Sequence, residues 1–206
     1  MILAEDGQDA HNKNKTRDVI ASTQGLRHVS KLAWDDLTYR VFEHFEASGQ
    51  RKFFEEGVIS LGNNILQSPI ERALFAFLLV QNFRQWIGNE KLQVVYPGME
   101  IPQNVLNNRG AAICPQHPVE DYSLDFGFFI NDGNNKLAFD IECDGIEFHG
   151  RTNEQISHDY HRGQIVSRNG FQIFRVSGKL INRNPLWEAE KFSLEVDIQL
   201  SNLSKK

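Results

Sequence analysis

The segment FDIECDGIEFHG, residues 139–150, sets Asp140, Glu142 and Asp144 on alternate positions and places His149 five residues further on. Apart from its acids it reads as a buried strand, with Phe139, Ile141 and Cys143 in between. Side chains alternate along a strand, so the three carboxylates share one face and the apolar residues the other. Carboxylates side by side repel, and burial makes their charge costly unless a cation or hydrogen-bond donors compensate. The run DYSLDFGFFI has the same design: Leu124, Phe126 and Phe128 point one way and Asp125 the other. If the two strands pair, Asp125 lies roughly 5 Å from Glu142, the usual spacing between strands. Two carboxylates at that separation suit a hard divalent cation such as Mg²⁺, which takes oxygen ligands and keeps waters for a substrate phosphate. The competing reading is an edge strand whose acids face water, and Asp125 within so apolar a run weighs against it.

The elements that would position these groups are legible in outline. DYSLDFGFFI and KLAFDIECDG read as consecutive strands joined by the turn NDGNN, a hairpin signal. Thr152 and Gln155 form a capping box for a helix running to Asn169, with Gly170 as its C′ residue. FQIFRV is a further strand, and a last helix begins near Pro185 and carries Leu186, Trp187, Phe192 and Leu194. Ile156, Tyr160 and Val166 read as packing residues of the helix after Thr152.

Upstream, Leu37, Val41 and Phe45 recur at helical spacing and predict a helix over about 30–47. SPIERALFAFLLVQNFRQW reads as one long, mostly buried helix, with Ser68 at the N-cap, Pro69 at the first position and Glu71 three residues after the cap. LQVVY is a short strand. Residues 97–118 hold four of the six prolines and little periodicity, and read as a long loop. The sum is an α/β domain: a mixed central β-sheet flanked by helices, over residues 63–206. Residues 1–62 form a polar tail and a helical N-terminal extension.

Composition bounds the function. The 206 residues are 40% hydrophobic and 24% charged, ordinary for a globular chain with a proper core. No run approaches the roughly 18 apolar residues of a membrane span, and the polar N-terminus lacks a secretory apolar region. Two cysteines, Cys114 and Cys143, offer no disulfide framework, so a reducing cytoplasm is expected. The net charge of −5 argues against a generic polyanion binder. Locally the balance is uneven: residues 119–149 carry −7, and residues 151–184 carry +4. An acidic block followed by a basic one suits a cation-plus-phosphate site, or simply two solvated faces of opposite sign.

SPIERALF, LDFGF, FDIECDGIEFHG and HDYHRGQIVSRNGFQIFRVSG, in that order over residues 66–184, resemble the PD-(D/E)XK, restriction-endonuclease-like superfamily. Within it the resemblance is closest to the very-short-patch-repair endonuclease-like domains. It implies a metal-dependent phosphodiesterase acting on DNA, with Mg²⁺ as cofactor and Mn²⁺ as a substitute. Asp125 resembles the first metal-binding aspartate and Glu142 the acid of the (D/E)XK element, with the Cys143 carbonyl as a further ligand. Asp144 stands where the superfamily usually has lysine. In the very-short-patch-repair branch the lysine is also absent, and a histidine is the general base, which His149 resembles in spacing.

Imidazole titrates near neutrality, so His149 suits proton removal from water beside a bound cation. Asp159 is the candidate to orient it, or else pairs with Arg162 three residues on. Glu71 is either a capping residue or a first-helix ligand near the metal. Arg162 and Arg175 are candidates to hold DNA phosphates. Asp144 or Glu71 would support a second cation or the histidine. The expected partners are DNA, with no membrane, and a homodimer or larger nuclease complex wherever both strands are cut. The competing expectations are a module that keeps the fold but has lost hydrolysis, motivated by the absent lysine, and a catalytic subunit that depends on a partner for its target.

Overall fold

The computed structural model of the chain describes residues 35–59, 61, 65–145 and 152–205. His149 and the start of the expected first helix lie outside these residues, as do positions 60 and 62–64 around the expected domain boundary. The chain divides into two compact units, residues 1–76 and 77–206.

The first unit is helical. Helix α1 (Asp36–Ala47) starts at Asp35, whose carboxylate accepts hydrogen bonds from the Thr38 N–H at 2.8 Å and the Thr38 hydroxyl at 2.6 Å. That satisfies one of the orphan donors of the first turn. Helix α2 (Arg51–Phe54) follows and runs into a π-helical turn at Glu55–Ile59. The ring of Phe54 meets Phe42 and Phe45, closing a small aromatic core. Helix α3 (Pro69–Leu79) begins in this unit, and its Arg72 donates to Asp35 Oδ2, Thr38 Oγ1 and the Leu66 carbonyl. Burial alone would push the Asp35 carboxyl up; the Thr38 donors and the Arg72 guanidinium outweigh it and hold it below its usual value.

The second unit is a five-stranded mixed sheet with helices against it, an α/β architecture. After α3 come helix α4 (Arg84–Ile87), strand β1 (Leu92–Val94), helix α5 (Gln103–Asn107) and strands β2 (Arg109–Val119), β3 (Tyr122–Asp132) and β4 (Lys136–Asp144). Helix α6 (Asn153–Arg168) crosses to β5 (Phe171–Ser177), and helices α7 (Gly178–Arg183) and α8 (Pro185–Leu203) end the chain. The strands lie in sequence order: β1 is parallel to β2, β2–β3 and β3–β4 are antiparallel, and β4 is parallel to β5.

The β3–β4 hairpin forms as its sequence predicts. Asp132 Oδ1 accepts from the N–H groups of Asn134 and Asn135, and Gly133 takes the positive φ of 97° that the turn requires. The capping box of Thr152 and Gln155 opens α6, and Gly170, at φ 86°, follows its C-cap. Apolar residues on one face of the sheet pack under α8: Phe192 is fully buried, with its ring 4.9 Å from Phe128, 5.3 Å from Phe139 and 5.2 Å from Phe174. On the other face Val166 of α6 joins Phe171 in a second cluster, packed against by Phe129, Ala138, Ile165 and Ile173.

Three expectations need correction. The segment 97–118 is no long loop, because it contains α5 and most of β2. Pro115 and Pro118 argue against a strand, yet both lie beyond Ile113, where β2 loses its β1 neighbour and pairs on one side only. Proline is tolerated there because fewer ladder bonds need its missing N–H. The buried run Ala111–Cys114 holds the preceding part of the strand in place.

The apolar stretch after Ser68 is not one helix either. It stops at Leu79, and Asn82 Oδ1 accepts from the Arg84 N–H to start α4 afresh. Lastly, Ile156 and Tyr160 are 55% and 69% exposed, so only Val166 of the three packs inward.

Candidate functional site

The acidic face is built by the register of the hairpin. The β3–β4 pairs run from Asn131↔Lys136 to Phe126↔Ile141, and Asp125 and Glu142 are the next residue of each strand. Asp125 turns toward β4, where its Oδ2 accepts from the Cys143 N–H at 2.7 Å. The backbone of Cys143, expected at the site through its carbonyl, thus meets Asp125 through its N–H. Next door, Asp140 is paired with Gly127 on one side and Ile173 on the other, and is completely buried.

Helix α6 lays Arg162 over this face. One guanidinium nitrogen, Nη2, hydrogen-bonds Glu142 Oε1 and stands 3.6 Å from Asp140 Oδ2. The Arg162 side chain is only 11% exposed and that of Glu142 13%, so this pair is turned inward rather than to solvent. Burial disfavours the guanidinium charge, but Glu142, Asp140 and Asp125 together outweigh it and hold Arg162 firmly protonated.

Asp140 is the strained member of the group. Neither of its oxygens accepts a hydrogen bond from any donor among the described residues. Burial, and then the neighbouring Glu142 carboxylate, push its carboxyl up to about 9; Arg162 opposes the rise and Asp125 adds to it. Glu142 is itself an acceptor, so it becomes a partner for Asp140 only when one of the two carries a proton. Strand alternation puts Asp140 on the acidic face but points to no role for it. The signal was there: it lies deepest of the three acids, flanked by Phe139 and Ile141 and opposite a glycine.

The other expected residues have the following surroundings. Asp144, at the end of β4, has Arg175 of β5 at 3.8 Å. Asp159 lines a shallow groove along α6 with Tyr160, Gly163, Gln164, Ser167 and Ile173. Glu71 belongs to the first unit and is buried there. Its N–H donates to Ser68 Oγ and its Oε2 accepts from the Gln67 N–H, which is capping geometry at the start of α3.

Among the described residues, no three or more His, Cys, Asp or Glu side chains are arranged to hold a metal ion. The donor chemistry nevertheless suits one. The donors are carboxylate oxygens, as a hard divalent cation requires, and the buried Asp140 oxygens lack any hydrogen-bond donor. Asp125 and Glu142, with Asp140 beside them, are the residues that would hold such an ion.

Fold and site together define an α/β domain with a mixed five-stranded open sheet and a buried carboxylate–guanidinium centre on one face. No protein-family model, curated protein or solved structure matches the chain.

Proposed function

We propose that the chain is a metal-dependent endonuclease that hydrolyses DNA phosphodiester bonds, with a restriction-endonuclease-like fold. The observation that carries this reading is the convergence of Asp125, Asp140 and Glu142 on one buried face under Arg162. Water-facing acids on an edge strand would be exposed and solvated; Asp140 is fully buried and the Glu142 side chain only 13% exposed, at a cost that a structural role alone leaves unexplained. The ordered resemblance over residues 66–184 supplies the reaction class.

In this reading Asp125 and Glu142 would hold Mg²⁺ or Mn²⁺, which would supply Lewis-acid polarisation of the scissile phosphate. The Cys143 N–H fixes the Asp125 carboxylate through its 2.7 Å bond, so one of its oxygens has a set direction. His149, outside the described residues, would be the general base for the attacking water, with Asp159 as the candidate to orient it. Asp144 is held back by Arg175 and serves the electrostatics of the strand end rather than the role of a lysine.

The test is nicking of supercoiled plasmid by the purified chain with Mg²⁺ or Mn²⁺. Cleavage that Asp125→Ala and Glu142→Ala each abolish supports the proposal; cleavage that survives both substitutions overturns it. A second reading, a nuclease-fold module that binds DNA or protein without cutting, is favoured by the carboxylate at 144 and by the guanidinium already seated on Glu142. It predicts DNA binding with no nicking under any divalent cation. Cleavage only in the presence of a co-purifying protein would instead mark a subunit that takes its target from a partner.

A further inference from the structure

The carboxylate centre already contains a cation. Arg162 Nη2 serves Glu142 and Asp140 at once, and its side-chain exposure of 11% falls between theirs. Asp140 has no hydrogen-bond donor among the described residues, and Arg162 Nη2 stands 3.6 Å from its Oδ2. A guanidinium seated on Glu142 Oε1 and a divalent ion on the same carboxylate compete, because each repels the other's charge at a few ångström.

We infer that Arg162 is an internal competitor for divalent cations: it fills the Asp140–Glu142 pair in the resting chain, and a cation engages Glu142 only by displacing the guanidinium. This deepens the metal-dependent reading above and rests on it. Arg162 then sets the cation concentration at which the site loads, since each loading event must break a buried, charge-assisted hydrogen bond. It also offsets the Glu142 charge beside the buried Asp140 when no metal is bound. The arrangement needs a long, always-charged side chain delivered from a neighbouring element, and α6 provides it as the crossover between β4 and β5.

The experiment is calorimetric titration of the full chain with Mn²⁺ at pH 8, comparing wild type, Arg162→Gln and Glu142→Gln. Arg162→Gln is expected to bind Mn²⁺ at least about tenfold more tightly, because a like charge a few ångström from the ion has been removed. Glu142→Gln is expected to lose binding. Equal affinity in wild type and Arg162→Gln, with loss in Glu142→Gln, overturns the inference and leaves the metal reading standing. Absence of Mn²⁺ binding in all three chains overturns both.

Should Arg162→Gln fail to fold, the wild type answers directly through Mg²⁺ titration of ¹⁵N-arginine chains, with the Arg162 Nε–H signal assigned from Arg162→Lys. Movement of that signal toward a solvent-exchanging guanidinium, saturating with Mg²⁺, is the expected result. A signal that stays fixed at saturating Mg²⁺ overturns the inference.

Discussion

His117 lies against the backbone of Gly127, so close that a Cβ at 127 would stand 2.8 Å from the His117 Cβ and 2.9 Å from its Cγ. The His117 ring also meets Phe129 at 5.1 Å and Phe171 at 5.8 Å. Gly127→Ala is therefore an overpacking change, expected to cost about 1–3 kcal/mol. Urea denaturation measures it, and an unchanged midpoint would refute the contact. Gly127 faces Asp140 across the β3–β4 ladder, so the same substitution should also disturb the seat of that carboxyl.

Burial holds the His117 imidazole below its usual pKa of 6.5, and its Nδ1 has no hydrogen-bond partner among the described residues. Below about pH 6.5 the unfolded chain takes a proton that the folded one resists, so stability is full above that pH and falls as the pH drops. The slope contributed by one such group reaches at most about 1.4 kcal/mol per pH unit. Denaturation midpoints at pH 7.5, 6.0 and 5.0 should decline more steeply for wild type than for His117→Gln. Parallel profiles would contradict this.

Asp140 acts with the opposite sign. Its carboxyl is raised from 3.8 to about 9, so between those values the folded chain keeps a proton that the unfolded chain has lost. The stability it contributes is complete below pH 3.8 and is lost as pH rises through about 9. Asp140→Asn, which is always neutral, should gain stability relative to wild type as pH is raised from 5 to 9, read from melting temperatures in matched buffers. A constant difference across that range would show that burial, Glu142 and Asp125 do not hold the proton on Asp140.

Phe192→Ala should cost about 3–5 kcal/mol, because it removes a fully buried ring that touches three others. Trp187→Ala, on the same helix but 54% exposed, should change stability by no more than about 1 kcal/mol. Equal losses at the two positions would mean that α8 is not seated on the sheet by Phe192.

The hairpin, its turn and the capped helix α6 were legible because each rests on local chemistry: alternation in residues 122–144, an Asx-type turn at Asp132, and a capping box at Thr152. Strand β2 was not legible, since whether Pro115 and Pro118 fit depends on where β1 ends, which local sequence does not encode. Alternation assigned Asp125, Asp140 and Glu142 to one face, yet it could not tell which of them would be sealed from water. That depends on Gly127, Ile173 and Arg162 arriving from three other elements. Arg162 looked like a surface phosphate ligand in sequence because helix spacing alone does not reveal which stripe of α6 meets the sheet.

The prolines in β2 have one more effect. Past Ile113 this strand offers a margin with no sheet partner, the kind of border onto which a stray extended peptide can zip itself. Two imino residues within four positions interrupt any regular row of amide hydrogens there, so a foreign strand would find nothing continuous to grip. The same feature that hid β2 from a reader of the sequence makes this border a poor template for strand addition.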